Sequence, residues 1–134
     1  MIYTSYKSLY DIKESRFNLI YKKVFNEIKV KNPEFSLYIV GKEKIRKINK
    51  KFRNKDSYTD VIAIEYKDPF YIGDIYICPD EVLKNSLIFG VKFSEEIERV
   101  FIHGLLHLLG YNHINPLNKS EKMYIIQENI LSKL

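Results

Sequence analysis

Apolar residues recur along this chain at helical spacings of three and four in some segments, and in short β-rich runs in others. In the first third, helical spacing joins six apolar side chains: Phe17, Ile20, Tyr21, Val24, Phe25 and Ile28. Because residues at this spacing share one face, they predict an amphipathic helix over about residues 13–31, which Pro33 ends. Ile45, Ile48 and Phe52 predict a second helix, whose other faces are basic.

Short runs of β-branched and aromatic residues separate the helical segments and predict strands. These runs lie at residues 35–40, 61–66 and about 74–78. After the last of them, Pro79 begins a third helix with two acidic residues in its first turn, where the helix dipole favours negative charge. Gly90 ends this helix.

Two further helices complete the predicted fold. Ser94 is a suitable N-cap for a fourth helix, and Ser120 starts a last helix whose inward face carries Met123, Ile126 and Ile130. Strands and helices in this order predict an α/β (α+β) fold. We expect a single small domain spanning residues 1–134, with a central mixed sheet of about four strands and helices packed on it.

Size and composition indicate how many domains the chain forms and where in the cell we expect it. A chain of 134 residues suits one domain with a substantial core. No apolar run approaches the roughly 20 residues that cross a bilayer, and the first residues lack the apolar core of a signal peptide. Cys78 is the only cysteine, so the chain cannot form an internal disulfide. We expect a cytoplasmic protein without membrane contact, as a monomer or weak dimer.

The three histidines of the chain, His103, His107 and His113, fall within eleven residues. At positions i and i+4 the first two share one helix face and can converge on one ion. Gly110 suits a left-handed helix cap, after which the chain can return His113 to the same point. Three nitrogen ligands with an open position are typical of catalytic zinc, although another divalent transition metal could take the same ligands.

The alternative is that these histidines are merely packed or hydrogen-bonded. Their helix is apolar nearly all round, as expected of a buried central helix, and buried imidazoles are costly unless a partner satisfies them. A metal would satisfy all three. Cys78 could supply a fourth ligand to a structural site, but a lone thiol at the end of a strand is more commonly packed in the core.

Positive charge is concentrated in residues 42–55. Eight basic residues oppose Glu43 there, so the segment carries a net charge of +7, while the whole chain carries +5. Such a segment suits a surface that meets phosphates. A solvated helix face in a lysine-rich protein explains it equally well, and composition alone leaves both interpretations open.

Three motifs resemble the YbeY family of bacterial endoribonucleases. Residues 103–113, HGLLHLLGYNH, follow the family pattern H-G-x-L-H-L-x-G-Y-D-H, with Asn112 in place of the usual aspartate. Residues 52–61, FRNKDSYTDV, are similar to Y-R-x-K-D-x-P-T-D-V, with Tyr58 at the customary proline. The L-S-F-P that follows in the family is Ile-Ala-Ile-Glu here, and residues 73–78, GDIYIC, look like G-D-I-x-I-[CS].

The resemblance implies a zinc-dependent, single-strand-specific endoribonuclease. It implies action on precursor ribosomal RNA, notably at the 3′ end of the small-subunit RNA, together with the ribosomal small subunit as a partner and a part in ribosome quality control. It also implies a zincin-like fold, one zinc ion on His103, His107 and His113, and a role in activity for Arg53. The planar guanidinium of Arg53 suits phosphate oxygens, whereas the alternative is an ion pair with Asp56.

Two other functions stay open on the sequence. One is a zinc metalloprotease-like hydrolase, although Gly104 stands where the H-E-x-x-H motif has its catalytic glutamate. The other is a non-catalytic ribosome-associated factor with a structural metal. Asp60, Glu65 and Asp74 are candidates for a general base or for a partner of a metal ligand, and the attacking group is left open between water and the RNA 2′-hydroxyl.

Overall fold

A four-stranded sheet forms the centre of the computed structural model, which describes residues 1–6, 8–111 and 119–134, without the side chains of 119–121. The strands within these residues are β1 (Ile2–Ser5), β2 (Glu34–Ile39), β3 (Val61–Glu65) and β4 (Tyr71–Ile77), in the order β1-β2-β4-β3. β1, β2 and β4 are parallel, and β3 is antiparallel to β4. The predicted mixed sheet is therefore confirmed.

The helices of the described residues lie close to their predicted positions. They are α1 (Glu14–Glu27), α2 (Lys42–Arg53), α3 (Pro79–Phe89), α4 (Phe93–Leu108) and α5 (Lys119–Ser132). None of the helices in these ranges is long and apolar enough to cross a bilayer. Gly110 has φ +92°, so the predicted left-handed turn after the histidine helix is present.

Two sequence-based details are wrong, and one strand was missed. The predicted cap Ser94 lies inside α4, which begins at Phe93 with Lys92 as its N-cap. α1 ends at Glu27 rather than near residue 31, because Lys29 takes a left-handed conformation with φ +57°. β1 was not predicted, since a four-residue segment carries too little periodicity, and it forms by pairing with β2.

Two apolar layers enclose the sheet. On one face, α1, α3, α4 and α5 form the main core with the inward side chains of the strands, and α4 is its centre. Met123 and Ile130 of α5 are buried there and Ile126 is partly buried, so the predicted inward face is confirmed. α2 lies on the other face over a smaller core made of Val40, Ile45, Ile48, Ile62 and Cys78.

Gly73 lies where β3, β4 and the end of α4 come close together. The register between β2 and β4 shifts by one residue between the pair Glu34–Tyr71 and the pair Ser36–Asp74, and Gly73 lies at this irregularity with φ +151°. A Cβ at this position would overlap the carbonyl oxygen of Ile64 and come within 2.7 Å of Cδ2 of Leu108. Only glycine lets β3, β4 and the end of α4 meet here.

Candidate active site

α4 carries His103 and His107 on one face, with their ring centroids 4.8 Å apart. Both are half-buried, whereas their apolar neighbours Phe101, Ile102 and Leu105 are buried in the main core. The spacing of four residues places the two rings together, and burial of the surrounding apolar face fixes their direction. Two of the three predicted metal ligands are therefore adjacent.

The third predicted ligand, His113, lies outside the described residues, as does Asn112. Among the residues that the structure does describe, no three histidine, cysteine or acidic side chains are grouped so as to hold a metal ion. Cys78 is buried in the smaller core beneath α2, and this burial raises the pKa of its thiol. It packs as predicted and does not line the histidine cavity.

Gln127 of α5 contacts the first histidine. Its Oε1 lies 2.9 Å from Nδ1 of His103, and its Nε2 donates to Oε2 of Glu128 at 3.2 Å. Because Glu128 accepts from the amide nitrogen, the amide oxygen faces His103, whose Nδ1 therefore carries the proton. The other ring nitrogen, Nε2, is then the basic one, as a metal-ligating imidazole requires.

Gln127 is in turn held by an ion-pair network between α4 and α5. Arg99 donates to Glu128 at 3.1 Å and to Glu96 at 2.8 Å. Burial tends to raise the pKa of Glu128, but the hydrogen bonds from Arg99 and Gln127 lower it overall. The pKa of Arg99 is raised, first by its hydrogen bond to Glu128. Burial raises the pKa of Glu96, against the hydrogen bond from Arg99. The imidazole orientation thus rests mainly on the ion pair between Arg99 and Glu128.

Sequence reasoning missed Gln127, although a signal was present. Gln127 lies on the buried side of α5 between Met123 and Ile130, and only 6% of it is exposed. A polar side chain on the inward face of an amphipathic helix needs a buried partner. The sequence could have marked it as unusual, but could not have identified His103, 24 residues earlier, as that partner.

A cavity of about 320 Å³ opens in front of the histidines. Its walls come from α4, from β3 and from the segment between α2 and β3, and they comprise Arg53, Thr59, Asp60, Val61, Ala63, His103, Gly104 and His107. Gly104 brings α4 close to the sheet, since a Cβ there would lie 3.1 Å from Cγ2 of Ile75. The cavity therefore lies between the histidine helix and the edge strand β3.

Arg53 reaches this cavity from the last residue of α2, which packs on the opposite face of the sheet. Asn54, in the left-handed conformation with φ +55°, ends α2 and turns the chain toward β3. The alternative predicted for Arg53 was an ion pair with Asp56, but Asp56 pairs with Arg46 at 2.7 Å. Arg53 forms no ion pair with any described residue, so its guanidinium is available at the cavity mouth.

The three candidate acidic residues have different surroundings. Asp60 lines the cavity, but its carboxylate accepts from the Val61 amide at 2.8 Å and from Asn85 at 3.2 Å. Glu65 is exposed at the end of β3.

Asp74 accepts hydrogen bonds from the hydroxyls of Tyr66 and Tyr71 at 2.5 and 2.6 Å, on the sheet face away from α4. Asp74 therefore lies away from His103 and His107, and it is Gln127 that contacts His103.

Comparison with known proteins points to the same family as the three sequence motifs. The family model described as Endoribonuclease YbeY matches residues 3–134. A protein named Endoribonuclease YbeY from Thermodesulfovibrio yellowstonii is 36% identical over 120 residues, which cover 84% of this chain and 76% of that protein. Another of the same name, from Acholeplasma laidlawii, is 36% identical over 131 residues, covering 96% and 94% respectively.

A solved structure extends the similarity to the fold. The solution structure of a Thermotoga maritima protein superposes with a TM-score of 0.68 at 27% sequence identity, covering 98% of this chain and 87% of that one. The match of the family model to nearly the whole chain, with relatives above 30% identity over most of their length, is decisive. This chain belongs to the endoribonuclease YbeY family.

Proposed function

We propose that residues 1–134 form one metal-dependent endoribonuclease domain that cleaves single-stranded RNA. The observation that carries the proposal is the cavity in which His103, His107 and Arg53 meet, with His103 held by Gln127 in the tautomer of a metal ligand. Membership of the endoribonuclease YbeY family supports the same reaction class.

The donor set fits a divalent transition metal. His103 and His107 are adjacent nitrogen donors, and we propose His113 as the third ligand of one zinc ion, or of a similar metal. When bound, such an ion supplies a Lewis acid for a phosphate oxygen and lowers the pKa of a coordinated water. The apolar core behind α4 keeps bulk water away from the rear of both rings.

The chain's own residues supply recognition and orientation. Arg53 at the cavity mouth can bind two oxygens of one phosphate through its planar fork, which holds the scissile phosphate beside the histidines. The basic α2, with net charge concentrated in residues 42–55, raises the local concentration of RNA around this mouth. Asp60 is fixed by its own hydrogen bonds and shapes the wall of the cavity.

We extend the proposal to the biological substrate named by the family resemblance. The substrate is precursor ribosomal RNA, notably at the 3′ end of the small-subunit RNA. The partner is the ribosomal small subunit, in maturation and quality control, and the protein acts in the cytoplasm as a monomer or weak dimer. A protease is disfavoured, because Gly104 packs against Ile75 and provides no general base next to His103.

Metal removal is the direct test of this function. We expect the purified protein to contain about one equivalent of a divalent transition metal, and a chelator to abolish cleavage of a labelled single-stranded RNA because phosphate activation is lost. Adding zinc back should restore cleavage. A duplex of the same sequence and a labelled peptide should stay intact. Full cleavage in a metal-free sample would contradict the proposal, as would rapid peptide cleavage.

Replacing Arg53 with lysine tests bidentate phosphate recognition. Arg53→Lys keeps the positive charge but loses the planar fork, so we expect the rate of RNA cleavage to fall about a hundredfold, as for loss of one transition-state donor. Arg16→Lys is the matched control, since Arg16 lies away from the cavity and pairs with Glu98. If Arg53→Lys cuts RNA as fast as the parent, the fork is not needed.

A further inference from the structure

The sheet face opposite α4 is only partly covered. α2 buries Ile62 and Cys78 beneath it, but Tyr38 and Tyr76 beyond this small core are half-buried. These two tyrosines are directly opposite each other on β2 and β4. Their rings stack with centroids 4.7 Å apart and planes 12° from parallel. An aromatic pair therefore stands on an open part of the sheet.

Two grooves flank this pair. The first, of about 460 Å³, lies between the end of β1 and the start of α2, and its walls include Tyr6, Tyr38, Lys44 and Tyr76. The second, of about 230 Å³, follows α2 and is lined by Lys44, Lys47, Ile48, Lys51, Phe52 and Tyr76. Lys44 and Tyr76 line both grooves, so the two are adjacent. We call them together the tyrosine groove.

The lysines of the tyrosine groove form an uncompensated row. Lys44, Lys47 and Lys51 are exposed and follow the three- and four-residue spacing of one helix face, about 5–6 Å apart at Cβ. None of the three forms an ion pair with a residue in the described part of the chain. Positive charge therefore faces the groove without internal neutralisation, which suits an anionic ligand.

The aromatic walls determine which anion fits. Phe52 is 52% exposed beside the row, with the Lys51 ammonium 5.2 Å from its ring centroid. Exposed aromatic faces next to lysines bind the unstacked bases of single-stranded nucleic acid, whereas a duplex keeps its bases stacked and offers only phosphates. An apolar helix of a protein partner would leave three lysines buried without partners.

We propose that the tyrosine groove is a second binding site for single-stranded RNA, which holds the strand next to the segment being cleaved. The proposal rests on the proposed function. It adds a subsite on the sheet face away from the histidines, in which Phe52 and the Tyr38–Tyr76 pair contact bases and the lysine row contacts phosphates.

The groove and the cavity are lined by neighbouring residues at the C-terminal end of α2. Phe52 lines the groove, and the next residue, Arg53, lines the histidine cavity. From Lys44 to Arg53 the helix rises about 13 Å, at about 1.5 Å per residue. That length corresponds to at most about four nucleotides, the number for a stacked strand at about 3.4 Å each, and to fewer when the bases are unstacked. An RNA of about eight nucleotides or more can therefore occupy both sites, while a trinucleotide occupies the cavity alone.

Binding of labelled single-stranded RNA to the full chain tests the lysine row. In Lys44→Gln/Lys47→Gln/Lys51→Gln we expect Kd for a twelve-nucleotide RNA to rise at least tenfold, and the slope of log affinity against log salt to fall by about two, since each phosphate contact contributes about 0.7. The control Lys22→Gln/Lys84→Gln/Lys92→Gln has the same net charge and lies outside the groove. Equal effects in both triple variants would overturn the proposal.

Two aromatic variants test base contacts. Phe52→Ala, at an exposed position, and Tyr76→Leu should each weaken binding of the twelve-nucleotide RNA about tenfold, while Tyr76→Phe binds like the parent because the ring is kept. Circular dichroism checks the fold of each variant. If folded Phe52→Ala and Tyr76→Leu bind the twelve-nucleotide RNA as tightly as the parent, the proposal is overturned. The groove would then be a binding site for a protein partner. A duplex bound as tightly as the single strand, and equally sensitive to Phe52→Ala, would also overturn it.

Cleavage separates this proposal from the proposed function. The groove variants should raise KM for the twelve-nucleotide RNA about tenfold with little change in kcat. Phe52→Ala and Tyr76→Leu, which keep the charge of α2, should not affect a trinucleotide substrate. If the parent binds RNA through the groove but cleaves nothing, the endonuclease proposal fails and the groove stands. If the parent cleaves both RNAs and the groove variants match it on both, the groove proposal fails alone.

Discussion

Replacing His107 with alanine should lower cleavage of single-stranded RNA about a thousandfold or more while the protein stays folded. His107 is half-buried at the cavity, next to His103, and its removal takes one nitrogen donor from the proposed metal site. Transition-state stabilisation by a metal is worth several kcal/mol, and about 4 kcal/mol corresponds to a thousandfold in rate. The main core loses little, because His107 faces the cavity and not the buried side of α4.

Three measurements on His107→Ala separate the possible roles of the metal. Loss of cleavage and of metal content, with an unchanged circular dichroism spectrum and RNA affinity, supports catalysis. Global unfolding would instead assign the metal a structural role, because structural sites contribute their binding free energy to folding. Cleavage at the parental rate would remove His107 from the mechanism altogether.

Two variants of Gln127 test whether its contact with His103 supports metal binding. Gln127→Leu removes the acceptor that holds the proton on Nδ1 of His103, so metal affinity measured by chelator competition should fall about ten- to a hundredfold. Gln127→Glu keeps an acceptor for that proton and should retain most of the affinity. Equal metal affinity in Gln127→Leu and the parent would show that the contact only packs α5 against α4.

Gly73→Ala should destabilise the protein by about 4 kcal/mol, combining backbone strain with overpacking. Gly73 has φ +151°, and its position leaves no room for a methyl group between the carbonyl of Ile64 and the side chain of Leu108. Since β3 and β4 are hydrogen-bonded at this point, the clash cannot be relieved without separating the strands. The loss should appear as a lower urea midpoint with an unchanged slope.

Gly90→Ala separates the steric part of this effect from the conformational part. Gly90 also has a positive φ, +68°, but a Cβ there meets nothing within 4 Å. We expect Gly90→Ala to cost only about 1–2 kcal/mol, the penalty of the left-handed conformation alone. Equal losses in the two variants would mean that the close approach at Gly73 relaxes easily.

The roles of Gly73 and Asp74 in the motif of residues 73–78 depend on residues elsewhere in the fold. The sequence contains Gly73-Asp74 before a strand, and spacing alone predicts only that the strand continues to residue 78. The structure adds that Gly73 admits the backbone of β3, and that Asp74 accepts hydrogen bonds from two tyrosine hydroxyls. Both roles depend on residues that are distant along the chain.

Of the apolar face predicted for α2, Ile45 and Ile48 are buried, whereas Phe52 is 52% exposed. The amino-acid sequence alone determined the helix that carries His103 and His107, the faces of α1 and α5, and three of the four strands in the described residues. It could do so because repeats of 3.6 and 2 residues are local and record which side chains share a face. The participation of His113 stays a prediction. Tertiary structure decided which faces meet: β1 joins β2, Arg53 passes the edge of the sheet to reach the histidines, and Gln127 fixes an imidazole on another helix. These contacts join residues far apart in sequence, and only packing of the whole chain brings them together.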